Sequence, residues 1–110
     1  MSRVCQINLR SRKELYMKIF NFAKYLKENL PVKKIFLYGS FARGDIHEGS
    51  DIDLIIIGDF NERFLERIGR IYELTDLPIE PLVYTEGEFQ KMLQNRNPFL
   101  TEVLKYAIEL

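Results

Sequence analysis

Two short stretches hold residue types from which a reactive site could be built. Gly39-Ser40 follows the apolar run Ile35-Phe36-Leu37-Tyr38. A glycine and a hydroxyl residue, placed where a strand gives way to a helix, turn backbone N–H groups and an O–H toward one spot, which is a natural cradle for phosphate. The second stretch is Asp51-Ile52-Asp53, at the head of the apolar run Leu54-Ile55-Ile56-Ile57. Alternate residues of a strand share a face, so the two carboxylates project together. Like charges at that separation raise one pKa, and a divalent cation relieves the repulsion; hard Mg²⁺ prefers such oxygen ligands. Taken singly, the first stretch also reads as an ordinary turn and the second as two charges at a strand end. The spacing carries more than either part: ten residues, 41–50, separate the two.

These residues need a scaffold, and the apolar pattern outlines one. Leu15, Ile19, Phe22, Ala23, Leu26 and Leu30 recur at helical spacing after a loose lead-in over residues 1–10, and Pro31 ends the helix. Strands are expected over 33–38, 51–57 and 79–84. Phe64, Leu65, Ile68, Ile71 and Tyr72 make one stripe of a helix ending near Thr75. Thr85 and Glu88 form a capping box that starts another helix. Asn97-Pro98 reads as cap and first residue of a final amphipathic helix running to the end of the sequence. The order is α-β-(α)-β-α-β-α-α, an α/β (α+β) fold with a small sheet flanked by helices. About 12 residues join the first two strands, too few for a parallel crossover with a full helix, so the sheet is expected to be mixed.

Size and composition bound the rest. A chain of 110 residues with 46% hydrophobic content supplies one core, and residues 1–110 are read as one domain. No apolar run reaches membrane-spanning length, and the N-terminal residues have no signal-peptide core. One cysteine, Cys5, forms no internal disulfide, which points to a reducing cytoplasm; with His47 as the lone histidine, structural zinc is not expected. Cys5 reads as an inert thiol and His47 as an exposed loop residue. The net charge is zero, which argues against a nucleic-acid coat. The charge is nonetheless divided: through Gly44 there are 10 basic and 2 acidic residues, and from Asp45 onward 6 and 14. The basic half suits phosphates, an acidic partner, or plain decoration of helix faces.

The pattern G-S-x10-D-x-D resembles the nucleotidyltransferases of the DNA polymerase beta superfamily. The stretches Gly39-Ser40-Phe41-Ala42-Arg43-Gly44-Asp45 and Gly49-Ser50-Asp51-Ile52-Asp53-Leu54 resemble, more narrowly, the minimal nucleotidyltransferase (MNT) family. The resemblance implies nucleotidyl transfer with two Mg²⁺ ions and ATP as substrate. Asp51 and Asp53 would hold the metals, and Gly39 and Ser40 would grip the β- and γ-phosphates. A third carboxylate is implied on a neighbouring strand. Glu80, before Pro81 and alternating with Ile79, is the candidate, although the family more often has aspartate there; Asp76 is its rival. Pro81 also points to an edge strand. Arg43 would either add charge at the triphosphate or pair with Asp45 or Glu48. Tyr38 reads as a strand aromatic beside the cradle.

The acceptor is less legible. Proteins resembling this one are paired with a small helical HEPN protein, a ribonuclease toxin, which they neutralise by transferring AMP to a tyrosine. The resemblance therefore implies an antitoxin with a HEPN partner, docking through the basic leading helix and the final amphipathic helix, with no membrane and no direct nucleic-acid contact. Homo- and hetero-oligomers both stay open. Two other readings stand beside it: a stand-alone enzyme acting on a small molecule, and a non-catalytic module that blocks its partner by binding.

Overall fold

Pro31 stands between the first helix and the first strand, and the computed structural model shows how the remaining elements follow. It describes residues 9–46 and 49–110. The expectations for Cys5 and His47, the 1–8 part of the lead-in and an Arg43–Glu48 pair lie outside these residues. The helix α1 spans Leu9–Asn29, beginning two residues before Ser11. The strand β1 (Val32–Tyr38) leads into the single-turn α2 (Gly39–Arg43). Then come β2 (Ile52–Gly58), α3 (Phe64–Tyr72), β3 (Ile79–Thr85), α4 (Glu86–Gln94), α5 (Pro98–Val103) and a two-residue β4 (Ile108–Glu109).

The sheet order is β3-β2-β1-β4. β1 and β2 run antiparallel and β2 and β3 parallel, so the sheet is mixed. The short α2 connection permits only the antiparallel return, while α3 provides the longer crossover that parallel strands require. β3 lies at an edge, where Pro81 removes no ladder hydrogen bond that the sheet needs.

Alternation along the strands divides the core in two. Ile35, Leu37, Ile52, Leu54, Ile56, Ile79 and Val83 face α1 and α3, meeting Ile19, Leu26 and Ile71. Ile55 and Ile57 face the other way, onto Phe89 of α4 and Leu100 and Val103 of α5, with Phe36, Tyr38 and Tyr84 alongside. Fully burying one such side chain contributes roughly 1.5–3 kcal/mol. The Thr85–Glu88 box closes as expected: the Glu88 N–H donates to Thr85 Oγ1 at 3.1 Å, and the Thr85 N–H donates to Glu88 Oε1 at 2.9 Å. Asn97 caps α5 by accepting from the Leu100 N–H at 3.2 Å.

Two expectations are corrected. α3 ends at Tyr72 rather than near Thr75. The final helix does not run to the end of the sequence; it stops at Val103, and Ile108 and Glu109 pair with Leu37 and Phe36 as β4. The Leu110 N–H adds a hydrogen bond to the Ile35 carbonyl at 2.8 Å. The free edge of β1 supplies unpaired backbone groups, and pairing them outweighs the helical spacing of Ala107 and Ile108.

Candidate active site

Gly39 is the first residue of α2 and Asp53 the second of β2, and the antiparallel register brings them face to face, with Tyr38 opposite Asp53. Gly39 has φ +71°, and a Cβ built on it would lie 2.1 Å from Asp53 Oδ2. The glycine is therefore needed twice, for a left-handed backbone and for the space the carboxylate occupies. This contact joins the two stretches that the sequence leaves 10 residues apart.

The parallel register of β2 and β3 places Glu80 beside Asp53. Both lie on the α4/α5 face of the sheet. Asp51, exposed just before β2, completes the cluster. A hydrogen bond between its carboxyl and that of Glu80 pushes the Glu80 pKa up, with burial and the charges of Asp51 and Asp53 adding to the rise. Asp53 is raised as well, by burial first and then by Asp51, while Arg43 acts in the opposite direction. Tyr38 is raised strongly by burial, with Asp53, Tyr84, Glu80 and Tyr106 contributing. Asp76, the rival for the third carboxylate, sits elsewhere, in a cleft with Leu15, Lys18 and Phe22 of α1. The structure thus brings Asp51, Asp53 and Glu80 together with Gly39, and leaves Asp76 out.

The donor set suits a hard divalent cation: carboxylate oxygens alone, crowded so that Asp53 and Glu80 are both raised above their ordinary values. Among the described residues no three carboxylate, histidine or cysteine side chains already form a metal cage. Glu80 is instead turned to Asp51.

Arg43 closes α2 at the rim. Its Nη1 donates to Tyr106 Oη at 2.9 Å, and its guanidinium lies 5.1 Å from the Tyr106 ring centroid. No Arg43–Asp45 ion pair occurs among the described residues. Tyr38 packs edge-on against Phe99 of α5, with ring centroids 5.5 Å apart. Tyr106 was not legible as a site neighbour, because its segment reads as helix and only the return of β4 to β1 carries it to Arg43.

Arg67 also escaped the sequence reading. It is buried, and its Nη1 and Nη2 meet Glu88 Oε1 and Oε2 at 2.7 and 3.2 Å. Nη1 also donates to the Val83 carbonyl at 3.1 Å, and Nε to the Glu62 carbonyl at 2.7 Å. The side chain fastens α3, β3 and the start of α4, the wall beyond Glu80. A signal was present: Arg67 falls three residues after Phe64 and four before Ile71, on the inward face of α3.

Comparison with known proteins gives the family. The nucleotidyltransferase domain model matches residues 19–108, and the chain belongs to that family. Putative protein adenylyltransferase MJ0604 of Methanocaldococcus jannaschii is 64% identical over 63 residues, which cover 56% of this chain and 63% of that protein. Putative protein adenylyltransferase MJ0141 of the same organism is 28% identical over 106 residues, covering 86% of this chain and 100% of that protein. The match to MJ0604 thus spans less than two thirds of that relative's length. The crystal structure of a putative nucleotidyltransferase from Sulfolobus solfataricus superposes with a TM-score of 0.65 over 92% of this chain and 83% of that one. At 19% identity it shows a shared fold.

Proposed function

We propose that the chain is an adenylyltransferase that moves AMP from ATP to a hydroxyl of a partner protein. The observation that carries this reading is the closure of Gly39 onto Asp53, with Glu80 in register beside it. The phosphate cradle and the carboxylates then address one point.

In this reading the Gly39 and Ser40 backbone N–H groups bind the β- and γ-phosphates, and Arg43 adds positive charge at the rim. Asp51 and Asp53 would hold Mg²⁺, with Glu80 completing the set once it turns from Asp51. When bound, the ion offsets charge on the attacking and leaving oxygens at the α-phosphate. The acceptor hydroxyl forms the new O–P bond as the bond to the β-phosphate breaks. Glu80 receives the acceptor's proton, and pyrophosphate leaves with the electron pair of the broken bond. A protein acceptor is supported by the names of the M. jannaschii relatives. The resemblance to minimal nucleotidyltransferases supports a HEPN-type helical toxin as the acceptor in this reading, with the chain as its antitoxin.

The test is calorimetry of ATP binding with Mg²⁺ and with EDTA, followed by intact-mass analysis of the partner after co-expression. ATP binding is expected only with the metal, and Asp51→Asn or Asp53→Asn should abolish transfer without unfolding the chain. Glu80→Gln should lose about 10²–10⁴-fold in rate while retaining ATP binding. Equal ATP binding in EDTA would refute the metal-bridged site. A partner that never gains AMP would remove the protein acceptor and leave a small-molecule enzyme or a binding module.

A further inference from the structure

A cavity of about 620 Å³ opens beside Tyr84, between β3 and α4, and no step described above uses it. Phe64, Tyr84, Met92 and Pro98 form its apolar wall, with the Phe64 and Tyr84 ring centroids 5.7 Å apart. Glu88, Lys91, Met92 and Asn95 recur at the spacing of one helix face, and that face lines the cavity while Phe89 enters the core. An aromatic hollow of this size with a few polar groups is the usual build of a small-molecule site. Its position also fits the carboxylate cluster. Tyr84 shares a face of β3 with Glu80 and lies four residues beyond it, roughly 13 Å along the strand. α4 begins at that far end, and α5 then brings Phe99 against Tyr38, which stands opposite Asp53. The wall therefore runs back from Tyr84 toward the carboxylates, over a span about as long as a nucleoside.

The polar groups select the occupant. Glu88 is already held by Arg67 and by the Thr85 N–H, and Asn97 Oδ1 accepts from the Leu100 N–H. The Lys91 ammonium and the Asn95 side-chain amide have no partner among the described residues. What remains is an aromatic slot with one cationic donor and one amide that both donates and accepts. A phosphate would engage Lys91 but gains nothing from Phe64, Tyr84 and Met92. An apolar or phenolic side chain of an acceptor would fill the slot but leave most of this hydrogen-bonding capacity unused. A nucleobase uses all of it, with a face that stacks on aromatic rings and an edge of ring nitrogens and exocyclic groups. The two-ring purines cover more of the apolar wall than pyrimidines do. We propose that this cavity holds the purine base of the nucleotide, stacked on Tyr84 with its edge on Asn95 and Lys91, and that these residues set the base preference. The proposal rests on the adenylyl-transfer reading for where the phosphates lie: with the β- and γ-phosphates at Gly39 and the α-phosphate at Asp53, the nucleoside extends toward β3 and α4.

The experiment separates the base from the phosphates. 2-Aminopurine riboside, whose fluorescence is quenched on stacking, is titrated with the full chain in EDTA; the chain has no tryptophan to interfere. Saturable quenching is expected, with adenosine displacing the probe about fivefold or more better than cytidine. Lys91→Ala and Asn95→Ala, both at exposed positions, should each weaken probe binding about three- to tenfold with circular dichroism unchanged. Met92→Trp, which fills the slot, should abolish it. None of these changes should alter binding of inorganic tripolyphosphate with Mg²⁺, whereas Asp53→Asn should weaken that binding and spare the riboside. With Mg²⁺, ATP should displace the probe at lower concentration than adenosine does, since both subsites are then engaged. Failure of tripolyphosphate to bind would remove the phosphate-and-metal reading alone. No saturable quenching, equal competition by cytidine, or affinity untouched by Lys91→Ala and Asn95→Ala would overturn the base site. Displacement by N-acetyltyrosinamide at lower concentration than by adenosine would give the slot to an acceptor side chain and overturn it as well.

Discussion

Replacing Gly39 by alanine tests whether the Gly39 turn and the Asp53 carboxylate are held by the contact described above. The new Cβ would lie 2.1 Å from Asp53 Oδ2, where ordinary contact begins at 3.4 Å, so the carboxylate must retreat by about 1.3 Å. Adding a Cβ in the left-handed region, here at φ +71°, costs roughly 1–2 kcal/mol. Swinging the half-buried Asp53 carboxylate off its rotamer to make room costs roughly 0.5–1.5 kcal/mol more, for a total of about 1.5–3.5 kcal/mol. In a domain of this size each kcal/mol shifts Tm by roughly 4–8 °C, so a fall of at least about 6 °C is expected. The assay is thermal denaturation followed by circular dichroism, repeated in an Asp53→Ala background. There the clash is absent and only the backbone strain remains, so Gly39→Ala should cost only about 1–2 kcal/mol. A Tm within about 2 °C of the wild type would refute the argument from strain and contact together. Equal costs in the two backgrounds would refute the contact with Asp53.

Three further outcomes follow from the same geometry. Arg67→Met should destabilise the fold by about 2–3 kcal/mol, because the Val83 and Glu62 carbonyls and the Glu88 carboxylate lose their donor; chemical denaturation measures it. The Arg67 hydrogen bonds hold the Glu88 pKa below the ordinary glutamate value, so the stability it contributes is present above that value and is lost as pH falls through the lower folded value. Tm measured against pH should therefore fall less steeply over that acidic window in Glu88→Gln than in the wild type. Tyr106→Leu removes both the hydrogen bond and the ring beneath Arg43 and should weaken Mg·ATP binding about two- to fivefold, while Tyr106→Phe, which keeps the ring, should lose less; calorimetry separates the two.

The sheet's character, the helix caps and the Asp51/Asp53 pair were readable from the chain because each depends on local spacing. Pro31, the Thr85–Glu88 box and Asn97-Pro98 mark boundaries through backbone chemistry that acts within a few residues. The short link between β1 and β2 limits the pair to an antiparallel return. Glu80 was singled out because the family resemblance implies a third carboxylate on a neighbouring strand, and alternation from Ile79 sets its face. β4, Tyr106 and Arg67 were not, and the reason is common to all three: their partners are distant in sequence. Ala107 and Ile108 keep helical spacing until the unpaired edge of β1 claims the segment, and that return delivers Tyr106 to Arg43. Arg67 looks like a surface cation on an amphipathic helix until Glu88 and the Val83 carbonyl surround it.

Sequence by itself determined the candidate donor residues and the faces they share, because residue type and strand alternation set donor chemistry and facing. Tertiary structure decided where they meet. The antiparallel register puts Tyr38 opposite Asp53, the positive φ of Gly39 then lays its backbone against that carboxylate, and the parallel register of β3 sets Glu80 beside it. Register is a property of paired strands, fixed by burying both faces of the sheet at once, and a single strand does not carry it.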